Sequence, residues 1–558
     1  MAVAVAKSAV IRGAFPAAKD VCFASEANEL FFGIVGHVGS GTGFVSKKLK
    51  DLIAKRYYDV EIVKASEAIR VWASKVNSPG DIPQKNGRPE ISKTQKMQAL
   101  GDDMRESSAD YAAVAQGVIS LVRGQRAKWN GGDAVDGQAV QPQPDSHRAY
   151  IIESIRHPAE VSLLRLVYGD AFALVGVVCH EDVREQRLLR KYFEREARKE
   201  DESLQQVQRL MERDSEDKTQ MYGQHVADAF WESDYFVDNT PDEDAVASQF
   251  TLNEDLGRLV DIITHCRIVR PTVAETGMHV AVSAQIRSSC LSRQVGAAIV
   301  DMEGNVLAIG SNEVPKAGGG VYGEGQEDED DRRCSACESP HCSSNAEQNE
   351  LIRKLMKAFP ALSKDSNEED ILKGIRKVGL GGILEFTRAI HAEMDALTTA
   401  ARRGISVKGA SMFVTTFPCH YCARHVVAAG IDQVQYIEPY PKSRALSLHG
   451  DSITSLAAGW VPPSAAKAPV AAVEDDPGDR TVGDDKFGRN TNKHKVLFKP
   501  FVGVAPRLYH RAFTKDRPLK DNVTGQYNIG KPDWGGKWGI RAIPYTDLEA
   551  RLTAEETK

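Results

Sequence analysis

The chain has 558 residues, 27% of them charged and 42% hydrophobic, and its formal net charge is −6. This length predicts several domains that each bury a core, and the acidic balance argues against a large surface that coats a polyanion. No apolar run reaches the roughly 20 residues of a membrane span, so we expect no membrane contact.

The first 28 residues are rich in Ala and Val, but Lys7 and Arg12 interrupt any signal-peptide core. We interpret 1–28 as a flexible tail. Five of the nine cysteines fall into two groups with metal-like spacing. This usage favours metal sites in a reducing cytoplasm over a disulfide framework.

The next segment predicts an alternation of strands and helices. A strand, a Gly-rich turn and a helix are expected over 30–56, and a charged helical pattern extends from Glu181 to about Ala229. Further β-rich apolar runs cover 149–155, 171–179 and 234–239. This order is typical of a parallel α/β sheet, and we assign 29–255 to that first domain.

The turn GHVGSGTG occupies 36–43, where a P-loop lies between its strand and its helix. The glycine spacing fits, but Thr42 replaces the lysine of a G-x-x-x-x-G-K-[ST] loop and Gly43 replaces its Ser or Thr. Backbone amides of such a loop can still hold phosphate, although losing those two side chains argues against efficient hydrolysis. The predicted nucleotide-binding residues are Gly36, Gly39, Ser40, Gly41, Thr42 and Gly43.

Two segments near this loop resemble the core and lid of P-loop nucleotide kinases: YIIESIRHPAEVSLLR and REQRLLRKYFERE. The resemblance implies a P-loop kinase-like domain with a degenerate phosphate loop. Arg184, Arg187 and Arg190 recur every three residues in the second segment. They either face phosphates or form a charged helix face.

A second domain is predicted over 268–455. Its expected elements are a helix at 279–289, a hairpin at 294–313, a helix at 384–404, a strand at 410–417, a helix opening at Pro418 and a strand at 433–439. A segment rich in Pro, Ala, Asp and Gly then predicts a linker over 456–493. The remaining residues, 494–558, form a C-terminal extension to which the sequence assigns no role.

The strongest chemical signal joins two motifs of this domain. His391 and Glu393 precede Pro418, Cys419 and Cys422 in the H-x-E…P-C-x-x-C pattern of zinc nucleobase deaminases. One imidazole and two thiolates leave a fourth zinc position open for water, whose pKa the metal lowers to about 7. A carboxylate that does not bind the metal must then carry the proton, and Glu393 is the candidate.

Each of these residues also has a simpler interpretation. The cysteine pair alone fits two small core residues or a redox pair, and His391 alone fits an ordinary histidine. The joint pattern, on the expected helix–strand–helix order, favours a deaminase site.

A second group of thiols lies in an acidic, Gly-rich loop. Cys334, Cys337 and Cys342, with His341 beside them, predict a structural zinc that staples this loop. The fourth ligand is either His341 or a residue elsewhere. The alternative is a loop with free thiols.

Residues 270–455 resemble the deoxycytidylate deaminase branch of the cytidine deaminase-like fold, through the zinc motifs and the segment CLSRQVGAAIVDMEGNVLAIGSNEVPKAGGGVY. The resemblance implies an α/β/α domain in which Asn312 holds the sugar hydroxyl and Arg293 meets phosphate. It also implies tyrosine and basic groups near the phosphate, for which the candidates are Tyr440, Lys442 and Arg444. The alternative for these three is a solvated loop.

The two-part layout over 29–455 resembles bacterial antiphage deoxycytidylate deaminases of the AvcD type, which join a degenerate P-loop domain to a deaminase. That resemblance implies conversion of dCMP and dCTP to uracil nucleotides during phage infection, so that the nucleotide pool is depleted. It further implies inhibition by a small RNA and assembly into a homo-oligomer. The competing hypotheses are a deaminase acting on RNA or single-stranded DNA, and a non-catalytic binding module.

Overall fold

The protein is described by a computed structural model in which two compact units are present. One contains the described residues of Met1–Val269 and Thr514–Lys558, and the other those of Arg270–Phe513. The structure describes 26–27, 29–76, 89–135, 137–143, 146–217, 220–240, 245–264, 267–324, 331, 333, 342–360, 367–377, 386–440, 443–457, 459–465, 494–515, 519–527, 540–541 and 545–553.

The first unit contains a parallel sheet with helices between its strands. The strands of this sheet are β2 (Glu29–Val35), β3 (Asp59–Lys64), β4 (Arg148–Ile155), β5 (Phe172–Val178) and β6 (Tyr235–Asp238), and the short strand β1 (Glu26–Ala27) precedes them outside the sheet. Its helices before residue 270 are α1 (Thr42–Ala54), α2 (Ala65–Val76), α3 (Ile91–Ser107), α4 (Ala113–Trp129), α5 (Pro158–Tyr168), α6 (Glu181–Tyr192), α7 (Asp201–Ser215), α8 (Val226–Trp231) and α9 (Ala245–Ile263). Short 3₁₀ turns cover Gly169–Ala171 and Ala197–Lys199.

The strands of this sheet follow the order β3-β4-β2-β5-β6, and every neighbouring pair is parallel. All seven residues of β2 and all seven of β5 are buried. Strands covered on both faces read as continuous apolar runs, which is why the sequence reveals them. The predicted parallel α/β sheet is therefore confirmed.

The helical pattern predicted from Glu181 to about Ala229 is three helices rather than one. α6 ends at Tyr192, α7 covers Asp201–Ser215, and α8 begins at Val226. The interruptions let both α6 and α7 bury an apolar face in one cluster, which includes Leu188, Leu189, Val207 and Leu210. Periodicity alone does not show where a helix folds back on the next one.

The second unit contains a mixed sheet. The strands of this sheet are β7 (Gly296–Val300), β8 (Val306–Ser311), β9 (Ser411–Thr416), β10 (Gln433–Glu438), β11 (Ile453–Thr454) and β12 (Val496–Pro500), and the second unit also contains the short strand β13 (Gly503–Val504), which is not part of this sheet. Its helices are α10 (Val273–Gln285), α11 (Ser343–Ala358), α12 (Glu368–Lys377), α13 (Ala392–Arg402), α14 (His420–Ala428), α15 (Ala445–Leu448) and α16 (Pro506–Phe513), with a 3₁₀ turn at Pro463–Ala465. The sheet order is β11-β12-β10-β9-β7-β8.

Helices cover both faces of this sheet. β7 is antiparallel to β8 and β9, whereas β9, β10, β12 and β11 are mutually parallel. Successive side chains of a strand point to opposite faces. Phe413 accordingly lies against Gly277 of α10, while Met412 and Val414 pack in the core cluster that contains α13. This is the predicted α/β/α arrangement.

A glycine sets the approach of α13 to the sheet. A Cβ on Gly310 of β8 would lie 2.1 Å from the carbonyl oxygen of Ala392 and 2.4 Å from the amide nitrogen of Ala396. No side chain fits at that distance. Gly310 therefore lets the first turn of α13, which follows His391, lie directly on the strand.

The C-terminal residues are divided between the two units, unlike the single extension expected over 494–558. β12 lies in the second unit between β10 and β11. β14 (Ile540–Arg541) pairs antiparallel with β1, and α17 (Tyr545–Thr553) packs on α4 and α5 of the first unit. Most of the predicted linker, 466–493, lies outside the described residues, as does the predicted tail up to residue 25.

Among the described helices, none is long and apolar enough to cross a membrane.

Candidate metal centre and active site

The second unit brings one histidine and two cysteines together. The Nδ1 atom of His391 lies 3.3 Å from the Sγ atom of Cys419 and 3.3 Å from that of Cys422. All three ligand atoms lie within 4.8 Å of one another. A tetrahedral zinc with such ligands places nitrogen and sulfur about 3.5 Å apart, so the three residues fit that metal.

Helix N-termini present all three ligands. His391 is the N-cap of α13 and Cys419 is the N-cap of α14, each with extended backbone angles. The Sγ atom of Cys419 accepts a hydrogen bond from the backbone N–H of Cys422, at 3.5 Å. The positive end of a helix dipole stabilises the thiolate form that metal binding needs.

Both helix starts differ from the prediction. The helix expected over 384–404 begins only at Ala392, and residues 386–391 are not helical. The helix expected to open at Pro418 begins at His420. The reason is the same at both sites, because a ligand residue occupies the non-helical cap position and aims its side chain at the metal site.

The two cysteine sulfurs affect each other's pKa in opposite directions. Hydrogen bonds from Cys422 and His391 lower the pKa of Cys419 to about 4. The neighbouring Cys419 sulfur, together with burial, raises the pKa of Cys422 well above its usual value. The hydrogen bond to Cys419 raises the pKa of His391 to about 9. A metal ion that binds here replaces the protons of these groups, because its ligands are the thiolate and neutral imidazole forms.

Glu393 lies in the first turn of α13 and is only 4% exposed. Burial raises the pKa of its carboxyl group, and the Cys422 thiol donates a hydrogen bond to it. The structure thus brings Glu393 to the edge of the ligand cluster. A buried carboxyl with a raised pKa is suited to both accept and release a proton near neutral pH.

Two acidic residues near this centre were not predicted from the sequence as site residues. Asp395 accepts a hydrogen bond from the backbone N–H of Ser311 at 3.0 Å, which ties α13 to the end of β8. Glu438 ends β10 and contacts Arg293. The available signal was the position of Glu438 at the carboxyl end of the strand predicted over 433–439, because sites gather at such strand ends in α/β sheets.

The predicted substrate residues that the structure describes come from two parts of the second unit, the ends of the β7–β8 hairpin and the segment after β10. The side chain of Asn312 accepts a hydrogen bond from the Val295 N–H and donates one to the carbonyl of Arg293. Tyr440 is half-buried, and its hydroxyl lies within electrostatic range of Cys419 and Arg293, although burial is the main cause of its raised pKa. Arg444 is exposed. Lys442 lies outside the described residues.

The predicted second metal site is only partly described. Cys342 is half-buried and is the N-cap of α11. Cys334, Cys337 and His341 lie outside the residues that the structure describes, so this site has no geometry to report.

The Gly-rich loop of the first unit connects β2 to α1. Gly39 and Gly41 have φ angles of 87° and 84°, and a Cβ on Gly41 would lie 2.4 Å from the Asn239 side-chain nitrogen. Ser40 is 1% exposed, and its hydroxyl has no hydrogen-bond partner among the described residues. The loop therefore has glycines where its geometry requires them and a buried hydroxyl to which no described residue hydrogen-bonds.

Arginines from two segments surround this loop, the β4–α5 connection and α6. Arg156 donates to the Gly36 carbonyl at 3.0 Å and to Asp214 at 2.8 Å. Arg187 donates to the carbonyls of Gly39 and Ser40, both at 3.3 Å. The Arg184 backbone packs on Gly39, whereas Arg190 is exposed. The three-residue repeat therefore brings two of its arginines to the loop.

Asp214 is a further contact of the loop that the sequence did not reveal. Its carboxylate accepts a hydrogen bond from the Val38 N–H at 2.7 Å, and the residue is 1% exposed. Burial raises its pKa, while Arg156 and the Val38 N–H oppose that shift. An internal carboxylate thus occupies one backbone donor of the loop.

Comparison with known proteins finds a matching family model, several relatives and similar solved structures. The model of the family described as the cytidine and deoxycytidylate deaminase zinc-binding region matches residues 271–438. The deoxycytidylate deaminase of Enterobacteria phage T4 is 30% identical over 179 residues, which cover 31% of this chain and 80% of that protein. The deoxycytidylate deaminase of Mycobacterium phage D29 is 28% identical over 167 residues, covering 30% of this chain and 95% of that protein.

One similar solved structure is the apo form of dCMP deaminase from the cyanophage S-TIM5. It is 22% identical, has a TM-score of 0.19, and covers 33% of this chain and 95% of its own.

Proposed function

Because the chain belongs to the deoxycytidylate deaminase family and is a zinc-dependent hydrolase, we propose that it deaminates free deoxycytidine nucleotides. The substrates are dCMP and dCTP, and the products are dUMP and dUTP with ammonia. Its second unit is a cytidine deaminase-like domain. The observation that carries the proposal is the His391–Cys419–Cys422 cluster with the buried carboxyl of Glu393 at its edge.

Glu393 is the proton carrier in this proposal. When bound, zinc supplies a Lewis acid that makes water nucleophilic near neutral pH. Glu393 removes a proton from the attacking water and passes it to the ring nitrogen of cytosine, and later delivers a proton to the departing amine. Its burial supports both transfers, because a carboxyl with a raised pKa is not held permanently ionised.

Asn312, Arg293, Tyr440, Lys442 and Arg444 bind the substrate in this proposal. The half-exposed Arg293 side chain supplies a cation for the phosphate, and the Asn312 amide, which orders the loop that carries Arg293, supports the sugar hydroxyl. Tyr440 lies in electrostatic range of both Arg293 and the metal ligand Cys419. These contacts favour a nucleotide over a bare base.

We further propose that the first unit is a P-loop kinase-like domain, over 29–255, which binds a nucleotide at 36–43. It is supported by the parallel sheet, by the positive φ angles of Gly39 and Gly41, and by the Ser40 hydroxyl, which has no hydrogen-bond partner in the described part of the chain. The surrounding arginines provide the positive charge that phosphate needs. A structural zinc at Cys334, Cys337 and Cys342, with His341, is a separate proposal from the cysteine spacing alone.

The biological role that we propose is antiphage defence, in which the enzyme depletes the cytosine nucleotide pool and is held inactive by a small RNA, as a homo-oligomer. Its support is the two-unit layout over 29–455. Phage plating on cells that produce the wild type or Glu393→Gln tests it. Equal plating on both strains contradicts the antiphage role. Purified protein that contains no RNA contradicts inhibition by a small RNA, and purified protein that is monomeric contradicts the homo-oligomer.

The deciding experiment measures ammonia and uracil nucleotides released from dCMP, dCTP, CMP and CTP, and from a cytosine-containing oligonucleotide. We expect turnover of the deoxynucleotides and a loss of about a thousandfold in Glu393→Gln, at unchanged zinc content because Glu393 is not a ligand. Glu303→Gln, in the exposed turn between β7 and β8, is the control. Product from the oligonucleotide alone supports the competing hypothesis, a deaminase that acts on RNA or single-stranded DNA. Full activity of Glu393→Gln contradicts the proposed role of Glu393 as the proton carrier.

A further inference from the structure

Glu438 connects the segment that contains Arg293, before β7, to the end of β9, which is followed by the metal ligand Cys419. Its Oε1 atom lies 2.9 Å from the NH1 atom of Arg293. Its Oε2 atom accepts a hydrogen bond of 2.7 Å from the Thr416 hydroxyl. The two oxygens of one carboxylate therefore hold two different segments of the second unit.

The backbone of Glu438 strengthens this connection. Its carbonyl oxygen accepts a hydrogen bond from the Phe417 N–H at 2.7 Å, and Glu438 stands opposite Thr416 in the parallel register of β9 and β10. Phe417 is followed by Pro418 and the ligand Cys419. The residue that binds Arg293 is thus fixed, by main chain and side chain, to the segment that enters the metal turn.

Arg293 is held at both ends. The side chain of Asn312 donates a hydrogen bond of 2.7 Å to its carbonyl oxygen, while Glu438 binds its guanidinium. A guanidinium carries five N–H donors, and 49% of the Arg293 side chain is exposed. It can therefore hold Glu438 and a phosphate oxygen at the same time.

We propose that Glu438 is a positioning residue for the deaminase reaction: it fixes the guanidinium of Arg293 relative to the metal ligands, so that Arg293 receives the substrate phosphate while the cytosine ring reaches the metal centre. The proposal rests on the proposed function of the second unit. A half-exposed ion pair adds little to stability, so the value of this pair lies in geometry. A guanidinium ordered before binding loses less conformational freedom when phosphate arrives.

This role predicts a change in KM rather than in kcat. The phosphate is remote from the reacting carbon, and losing a contact that is equal in ground and transition states raises KM alone. We expect Glu438→Ala to raise the KM for dCMP about tenfold, the effect of weakening one charge-assisted contact, with kcat within about twofold. Glu438→Gln, which keeps an oxygen acceptor, regains part of the loss.

A double-mutant cycle separates positioning from a merely structural role. If Glu438 acts through Arg293, the double variant Glu438→Ala/Arg293→Ala has the KM of Arg293→Ala alone. Glu303→Ala, exposed in the same unit, is the matched control and keeps the wild-type KM. Multiplied effects in the double variant, an unchanged KM in Glu438→Ala, or loss of zinc in Glu438→Ala each overturn the inference.

Failure of the proposed function and failure of the positioning role give different experimental results. Wild-type protein that turns over no free nucleotide contradicts the proposed function, whatever the variants do. The positioning role is then decided by calorimetric binding of dCMP to the wild type and to Glu438→Ala. Weaker binding by the variant supports it, and equal affinity or no binding to either protein rejects it.

Discussion

Arg126 and Glu549 are 423 positions apart in the chain and form an ion pair in which both side chains are completely buried. Glu29 binds the same guanidinium at 2.8 Å, and the Tyr168 hydroxyl donates to Glu549 at 2.8 Å. Arg126 belongs to α4 and Glu549 to α17. The C-terminal helix is therefore part of the core of the first unit.

We expect Glu549→Ala to destabilise the first unit by about 3 kcal/mol, because removing one partner of a buried ion pair leaves charge without compensation. Arg126 keeps Glu29, which limits the loss, while Tyr168 loses its acceptor. The measurement is hydrogen exchange of peptides from β2 and α4. Asp547→Ala, exposed on the same helix, is the control, and equal exchange in the two variants means that the pair does not stabilise the unit.

Metal analysis tests the two proposed zinc sites separately. We expect the wild type to bind two zinc ions per chain, and Cys422→Ser to bind one because it removes a ligand of the described centre. Cys337→Ser also binds one, but it retains deamination. A wild-type content of one ion, unchanged in Cys337→Ser, rejects the structural zinc and leaves the catalytic site intact.

The stability of the first unit should fall between pH 6.5 and pH 5. Burial, with Arg184 and Arg156 nearby, lowers the pKa of His37 from 6.5 to about 3, so the folded state stays neutral where the unfolded chain binds a proton. The contribution of neutral His37 to the stability of the first unit is fully present above pH 6.5, and it is lost as the pH falls toward 3. His37 alone accounts for about 2 kcal/mol at pH 5.

Replacing the histidine tests this sign. Between pH 7.5 and pH 5, His37→Gln should lose less stability than the wild type, measured by hydrogen exchange of β2 peptides corrected for intrinsic pH effects. His494→Gln, at an exposed position, should behave as the wild type. A wild-type pH response in His37→Gln shows that His37 is not the group responsible.

Nucleotide binding by the Gly-rich loop should depend on Gly41. Its φ of 84° is strained for any L side chain, and a Cβ there meets the Asn239 side chain. We expect Gly41→Ala to weaken binding of ATP and dCTP to the first unit by at least about tenfold, measured by calorimetry on the full chain.

Gly132→Ala, where a Cβ meets nothing within 4 Å, is the control for this loop. Binding of neither nucleotide to the wild type rejects the loop as a nucleotide site. Equal binding by Gly41→Ala and the wild type places the nucleotide elsewhere.

The sequence predicted the metal ligands and eight strands, β2 and β4 to β10, but it missed β3, β11 and β12 and was less accurate at helix starts. β2 and β5 were recognisable because strands buried on both faces are continuously apolar. The predicted start of α13 was wrong because His391 fits the helical pattern of the sequence. In the structure it is the non-helical N-cap, whose side chain faces the metal site. Local pattern does not distinguish these two states.

The sequence by itself determined the chemistry of the metal centre, because zinc accepts few residue types and His391, Cys419 and Cys422 occur in the required spacing. Only the tertiary structure decided which distant charges meet. The pairs Arg126–Glu549 and Arg293–Glu438 depend on how whole helices and strands pack. Hydrophobic periodicity determines which face of an element is buried, but not which polar side chain of another element it meets there.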